Sequence, residues 1–492
     1  MTAAPARILR ALAADLGKAH LPAKLGDLTL SFLSMAIFSR LYAPEDYTLY
    51  TLIWAALTTL HALGVSWVHL TALRYWRDPS TALGTSGEGA DAFLSSLNAA
   101  LLATLAFCLA LWGWGHALFL PDLDNTSIAI GLALLCAFSL NQHTVTRARA
   151  MRELKLFVAL SLLPRPLMIA FGLFAAWWGY RQPSTLLLAL TGSYAAAVIV
   201  EALLNGRRYW PQRFSFRKAD LTPLLSYGAP VALVAASNVI LTVSDRFLIA
   251  HFCGTHAAGE YTIANSLISK ADSLTMFVGA AAFPLLVDRF EAHGPEQTAR
   301  DLSRLITTFC AAYLPLTLGL ALVAKPACDV LIGPAYSSAP STMVALAPAV
   351  FAIGLLRYLI RPFQITAKPV PQLVLTALSG VLTVALNFVL IARFGPLGAA
   401  WGTAIGTTLC GIGHYLWAQR ILPYSLEWSE IGKITLATAG MAGCTLAALS
   451  IRLPSWGSLA LACATGGTVY LLLALWLNIA NTRQHLQRLL RG

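Results

Sequence analysis

The chain has 492 residues, of which 57% are hydrophobic and 11% charged. A soluble domain carries about 25% charged residues, so the composition excludes a soluble enzyme or nucleic-acid-binding domain and points to an all-α, polytopic membrane protein. The net charge of +12 lies in short basic loops between apolar runs rather than in one patch, so it sets orientation and does not mark a nucleic-acid partner.

Residues 1–24 set Arg7, Arg10, Lys18 and Lys24 among Ile8, Leu9, Leu12 and Leu16. That pattern fits an amphipathic helix on a membrane surface or a frayed tail. About fourteen runs long enough to span a bilayer follow. They are 25–42, 47–72, 92–120, 127–145, 156–178, 185–204, 224–250, 259–287, 302–324, 340–360, 370–392, 397–419, 433–451 and 455–479. Arg40, Arg181, Lys325, Arg393 and Arg452 fall on one side of this layout, and Arg165, Arg246 and Lys270 fall inside runs. The other 26 of the 34 Lys and Arg residues fall on the opposite side with both termini, which predicts cytoplasmic ends. The loops on the sparsely charged side are short, which leaves no room for the outer domain that a sugar transferase or polymerase needs.

Two stretches resemble each other at an offset of 211: Arg40-Leu-Tyr-Ala-Pro-Glu-Asp-Tyr-Thr-Leu-Tyr50 and His251-Phe-Cys-Gly-Thr-His-Ala-Ala-Gly-Glu-Tyr261. The repeat predicts two six-helix halves, a transporter architecture with a site between repeats. The expected organisation is an N-terminal segment (1–24), a first six-helix bundle (25–205), a basic linker (206–220), a second six-helix bundle (221–420), two additional helices (433–479) and a basic tail (480–492).

The seventh and eighth runs each carry a polar stripe at i, i+4, i+7: Asn238, Thr242 and Asp245 on one, Asn265, Ser269 and Asp272 on the other. Arg246 adjoins Asp245, and Lys270 adjoins Ser269. Ionisable groups inside a span face protein or a water-filled cavity. The stripes therefore read as a hydrated path, or as structural pairs such as Asp245 with Arg246 and Lys270 with Asp272. Through the repeat, Asp27, Ser31 and Ser34 form the counterpart on the first run.

Other features read as packing. Gly398, Gly402 and Gly406 at i, i+4, i+8 let two helices approach closely. Pro164, Pro166, Pro284 and Pro348 lie within runs, as kinks around a cavity or as tolerated residues. The eight cysteines form no CxxC pair, and His61, His69, His143 and His414 show no metal-ligand spacing. The glycine-rich 84–89 loop lacks the lysine of a phosphate-binding loop, and no nucleophile motif is present. No cofactor, catalytic group or metal is expected, and the chain reads as a transporter rather than an enzyme.

Asp245-Arg-Phe-Leu-Ile249, Gly259-Glu-Tyr-Thr262 and Pro284 resemble the second-half signature of polysaccharide transporters in the multidrug/oligosaccharidyl-lipid/polysaccharide (MOP) exporter superfamily. Asn387 with Phe394-Gly-Pro-Leu-Gly-Ala-Ala-Trp-Gly-Thr403, and the 40–47 motif, are similar to further segments of that family, although Ala43 and Thr48 stand where glycine is usual. The resemblance covers about residues 25–423. It implies two helical bundles in a V around a central cavity with alternating access. It also implies flipping of undecaprenyl-pyrophosphate-linked oligosaccharides, as by Wzx-type flippases, for O-antigen, capsule or exopolysaccharide biosynthesis at a bacterial inner membrane. H+ or Na+ coupling, and polysaccharide polymerase and chain-length proteins as partners, come with it.

On this reading Arg165, Arg246 and Lys270, with Asn238, Asn265 and Ser269, line a substrate cavity for a pyrophosphate headgroup and its sugars. Asp27, Asp245 and Asp272 serve ion coupling or structural pairing. The alternatives are a cation-coupled multidrug or small-molecule exporter of the same superfamily, which would use the three acids, and a lipid II flippase.

Overall fold

The computed structural model describes residues 26–75, 88–119, 123–151, 153–209, 218–332, 335–366 and 368–483. Segment 1–24, residues 210–217 of the linker and residues 484–492 of the tail lie outside the described residues. Every regular element among those described is a helix.

Eight helices open the chain: α1 (26–41), α2 (Pro44–Gly64), α3 (Ser66–Tyr75), α4 (Glu88–Phe119), α5 (Asn125–Ala150), α6 (Leu154–Leu162), α7 (Pro164–Trp177) and α8 (Pro183–Tyr209). Two long ones follow, α9 (Lys218–Ile268) and α10 (Lys270–Leu322). The rest are α11 (Ala324–Leu331), α12 (Ala339–Leu359), α13 (Arg361–Ile365), α14 (Pro369–Phe394), α15 (Pro396–Ala418), α16 (Trp428–Leu449) and α17 (Ser455–Trp476). Each of the fourteen apolar runs falls on these helices. Among the described residues nine are individually long and apolar enough to cross a membrane, ten when the bent α2–α3 pair counts as one span.

Glycine and proline explain where the helices break. Gly254 (φ 86°, ψ 169°) interrupts α9, and Gly294 (φ 76°, ψ −175°) interrupts α10. This backbone region is essentially open to glycine alone. The two turns cut the α9–α10 stretch into the seventh, eighth and ninth runs. Gly254 lies 211 residues beyond Ala43, the extended cap between α1 and α2, so the sequence repeat has a structural counterpart at its turn. Pro44, Pro164, Pro340, Pro369 and Pro396 sit in the first turns of their helices, where a missing N–H costs nothing.

One run expected to be continuous is broken: the second bends by 50° between α2 and α3 at Val65. In the fifth, α6 and α7 meet at Leu163, whose backbone stays helical, so Leu154–Trp177 remains one span despite Pro164. Pro348 is carried inside α12.

The chain forms two compact units, Met1–Phe247 and Leu248–Gly492, with the division inside α9. In the first unit, α5 packs on α3, α4, α6 and α8, and α2 packs on α4, α5 and α8. Leu52, Ile53 and Leu57 of α2, Leu134 and Leu135 of α5, and Leu186 and Leu187 of α8 are fully buried. Phe107, Phe174, Leu203 and Leu204 are exposed, as expected of a surface facing lipid. Trp114, Trp177 and Trp178 stand exposed near helix ends, where indole rings suit the membrane interface.

In the second unit, α12 and α14 pack on α15, and α10 on α12 and α16. The glycine stripe of α15 behaves as read from its spacing. A Cβ on Gly398, Gly402 or Gly406 would lie 2.1 Å from Leu390 O, Asn387 Oδ1 or Thr383 Oγ1 of α14, respectively. Those three positions run up one face of α14, so the helices touch backbone to side chain along their length.

Candidate functional site

The polar centre of the first unit is an ion pair. Arg165, in the first turn of α7, donates from Nε to Asp27 Oδ1 on α1 at 3.2 Å. About a third of each side chain remains exposed, so the guanidinium is held yet reachable. The phenols of Tyr47 and Tyr50 on α2 and Tyr194 on α8 lie within its electrostatic reach, and all three rings are buried. Tyr50 is braced against α7, its hydroxyl 3.9 Å from Met168 Sδ. Trp54 stacks on Tyr194 at 6.0 Å and meets Phe138 of α5 edge-on at 4.9 Å, and Phe138 meets Tyr194 at 5.2 Å.

This arrangement follows from the local sequence. Tyr47, Tyr50 and Trp54 recur at i, i+3, i+7, so one face of α2 carries all three rings. Pro164 starts α7 at a point that puts Arg165 next to that face. A guanidinium with phenols close by can take a phosphate in a two-pronged contact and offer hydroxyl and aromatic surface to a sugar.

Beyond Phe138 lies a cluster of histidines that sequence spacing did not reveal. His61 of α2 and His69 of α3 have ring centroids 5.2 Å apart, and His143 of α5 lies 5.8 Å from His69. The bend at Val65 brings His61 and His69 to the same neighbour, α5. His61 Nδ1 is 2.9 Å from Ser139 Oγ. Among the described residues no group of His, Cys, Asp or Glu is arranged to hold a metal ion. One turn along α5 from His143, Arg147 forms a buried ion pair with Glu201 of α8. Neither residue is among those expected from sequence: Glu201 is a lone carboxylate within the sixth run, a signal that could have pointed to it, whereas Arg147 falls in the loop beyond the fourth run.

In the second unit, Ser269 Oγ donates to Asn265 Oδ1 at 2.8 Å, so the i, i+4 spacing of that stripe is a real contact. Lys270 follows at the start of α10 and is partly buried. Glu260, within the Gly259-Glu-Tyr-Thr262 motif, accepts from the Ser338 backbone N–H at 2.9 Å and from the Ser338 hydroxyl, so this carboxylate secures the segment before α12.

On α9 itself, Asp245 is buried and accepts the Arg246 backbone N–H at 2.8 Å. That bond uses the Arg246 main chain and not its guanidinium, whose Nε is buried without a hydrogen bond. The side chains of Asn238 and Asp272 lie outside the described residues.

The model of the family described as "Polysaccharide biosynthesis protein" matches residues 20–290, more than half of the chain. The chain belongs to this family. Among its relatives, the "Probable low-salt glycan biosynthesis flippase Agl15" of Haloferax volcanii is 22% identical over 229 residues, 46% of this chain and 48% of that protein. The "Uncharacterized membrane protein MJ1068" of Methanocaldococcus jannaschii is 23% identical over 248 residues, 47% and 48% of the two chains. The chain thus spans about half the length of these curated relatives.

The fold is also that of solved membrane proteins. The structure of lipid II flippase MurJ in an inward closed conformation aligns over 94% of this chain and 98% of that one, at a TM-score of 0.74 and 13% identity. An inward-facing multidrug resistance MATE family transporter of the MOP superfamily aligns over 83% and 96%, at a TM-score of 0.60 and 16% identity. The family, the fold and the many long apolar helices together make the chain a multi-pass membrane protein. The Arg165 site and the histidine cluster both fall within the matched residues.

Proposed function

We propose that the chain is a flippase that moves a polyprenyl-pyrophosphate-linked oligosaccharide between membrane leaflets by alternating access, for surface polysaccharide biosynthesis. The observation that carries the reading is Arg165, a guanidinium placed inside a span, about a third exposed, paired with Asp27 and within electrostatic reach of the Tyr47, Tyr50 and Tyr194 phenols. Moving a pyrophosphate into a low-dielectric interior costs tens of kcal/mol by idealised solvation estimates unless a counter-charge receives it. Asp27 keeps the guanidinium neutralised between cycles, and the incoming phosphate takes over part of that pairing. Lys270 supplies a second cation in the other unit, next to the Asn265–Ser269 hydroxyl and amide.

The reading includes a bacterial cytoplasmic membrane, with both termini on the side where 26 of the 34 basic residues fall. It also includes coupling to an H+ or Na+ gradient and operation alongside a polymerase and chain-length proteins.

The test is complementation of two strains, one lacking its O-antigen flippase and one depleted of its lipid II flippase, each expressing the wild type, Arg165→Ala or Lys270→Ala. Rescue of the first strain alone by the wild type, lost in both variants at equal expression, supports the reading. Rescue of the second strain alone, or full activity of both variants, overturns it.

A further inference from the structure

We propose that His61, His69 and His143 form a proton-binding site of the first unit, one aromatic layer away from the Arg165–Asp27 pair. The role deepens the transport reading above and rests on it, although its test needs no glycan. The trio is a chain of mutually tilted rings: His61 to His69 at 5.2 Å, and His69 to His143 at 5.8 Å between ring centroids. All three rings are buried. The site takes up one H+ on an imidazole nitrogen lone pair, giving an imidazolium, and returns it unchanged, so no other reactant is needed. Two imidazolium ions this close would repel strongly in a low-dielectric interior, so the trio holds one proton shared among the rings.

The surroundings decide whether such a charge is tolerable. From α5, Arg147 stands one turn from His143, a cation that would oppose protonation. Glu201 of α8 is paired with it and cancels its charge. From α4, the neutral thiol of Cys108 reaches the Leu60 carbonyl, next to His61 in the chain. On α6 the charged groups, Glu153 at the cap and Lys155, lie at the helix start. On α5, Ser139 Oγ at 2.9 Å fixes the His61 ring. His69 Nε2 is buried and makes no hydrogen bond, so the middle ring has a nitrogen available for a proton.

The trio also touches the proposed substrate site. His61 packs on Phe138 at 4.7 Å, and Phe138 packs on Tyr194 at 5.2 Å, whose phenol senses Arg165 and Asp27. A charge gained at the trio therefore acts through one ring on the pair that receives the phosphate, and through packed α2, α5 and α8. Histidine suits the task because its neutral ring can be buried and still accept one proton on a ring nitrogen.

The experiment uses the full-length protein in liposomes on a solid-supported membrane, with no added substrate. Because burial disfavours a charged imidazole, the pH jump runs from about pH 7 down to about pH 4, and the transient charge displacement is recorded. The wild type is expected to give a transient current. The triple variant His61→Gln, His69→Gln, His143→Gln is expected to lose most of it, a fall of about five-fold or more, since glutamine does not charge in that window.

Size-exclusion elution and melting temperature establish that the variant is folded. If it is not, His69→Gln alone is read, because its Nε2 makes no hydrogen bond for the substitution to break. An undiminished current in the folded variant, or no current in the wild type, overturns the site. A histidine-dependent current from a protein that rescues neither strain leaves the proton site standing and removes only the flippase reading.

Discussion

Arg165 Nε lies 3.2 Å from Asp27 Oδ1, across 138 residues of sequence, with about a third of each side chain still exposed. A fully buried pair would be a structural lock, and a fully exposed one would be worth little. This one is positioned to exchange partners.

Replacement of Arg165 by Ala is therefore expected to change stability little and transport greatly. Because the pair is partly exposed, the melting temperature should shift by no more than about 1 kcal/mol would produce. Loss of a charge-assisted phosphate contact of about 1.5–3 kcal/mol should lower transport about ten-fold or more. Asp27→Asn should act oppositely on binding, since it removes the competitor of the phosphate. A lower apparent KM with reduced turnover is the expected signature, read in reconstituted vesicles. Equal damage to stability and transport in both variants would assign the pair to structure.

The extent of this that sequence makes legible is uneven, for physical reasons. The apolar runs are visible because a bilayer demands their length. The glycines of α15 are visible because close approach demands small residues at a helical repeat. Arg165 and Asp27 are visible singly, as charges where charge is costly, but their pairing is a contact between α1 and α7 that no local pattern encodes. The same holds for His61, His69 and His143. Two of them are eight residues apart across a bend that composition does not announce, and the third is on α5. Glu260 reads as part of a motif, yet its work on Ser338 appears only in three dimensions.

Gly402→Leu should separate α14 from α15. Even a Cβ at this position falls 2.1 Å from Asn387 Oδ1, so the helices must part. Overpacking of this kind costs about 1–3 kcal/mol or more. The check is the melting temperature in detergent, with Gly413→Leu as comparison, since its nearest neighbour is a movable Leu375 methyl at 3.4 Å. Equal shifts in the two variants would rule out the close approach as the cause.

Asp124 caps α5, accepting from the Ser127 backbone N–H at 3.2 Å. Hydrogen bonding from Ser127, its hydroxyl first, holds the Asp124 carboxyl below the usual carboxylate range. The folded state therefore binds its proton less readily than the unfolded chain. The stability this group contributes is present above about pH 3.9 and is lost as pH falls through the lower folded value. Asp124→Ala should cost about 1 kcal/mol at neutral pH. The gap from wild type should narrow as the pH is taken below about 4. Asp124→Asn should keep the cap with no such pH dependence, which denaturation at a series of pH values would reveal.

The Arg147–Glu201 pair makes the last contrast, because its exposure differs from that of Arg165–Asp27. Arg147 is 9% and Glu201 3% exposed, and the two join α5 to α8. Removing one member of a buried pair strands a charge at a cost of about 3–5 kcal/mol, whereas replacing both by apolar groups of similar volume is often neutral or stabilising. Glu201→Gln should therefore lower stability more than the double variant Arg147→Met, Glu201→Leu. The two also differ at the histidines. Glu201→Gln leaves the Arg147 cation facing His143 and should suppress the pH-jump current. The double variant removes both charges and should retain it. Parallel loss of current in both would show that the pair acts by packing α5 on α8, and not by cancelling the charge beside His143.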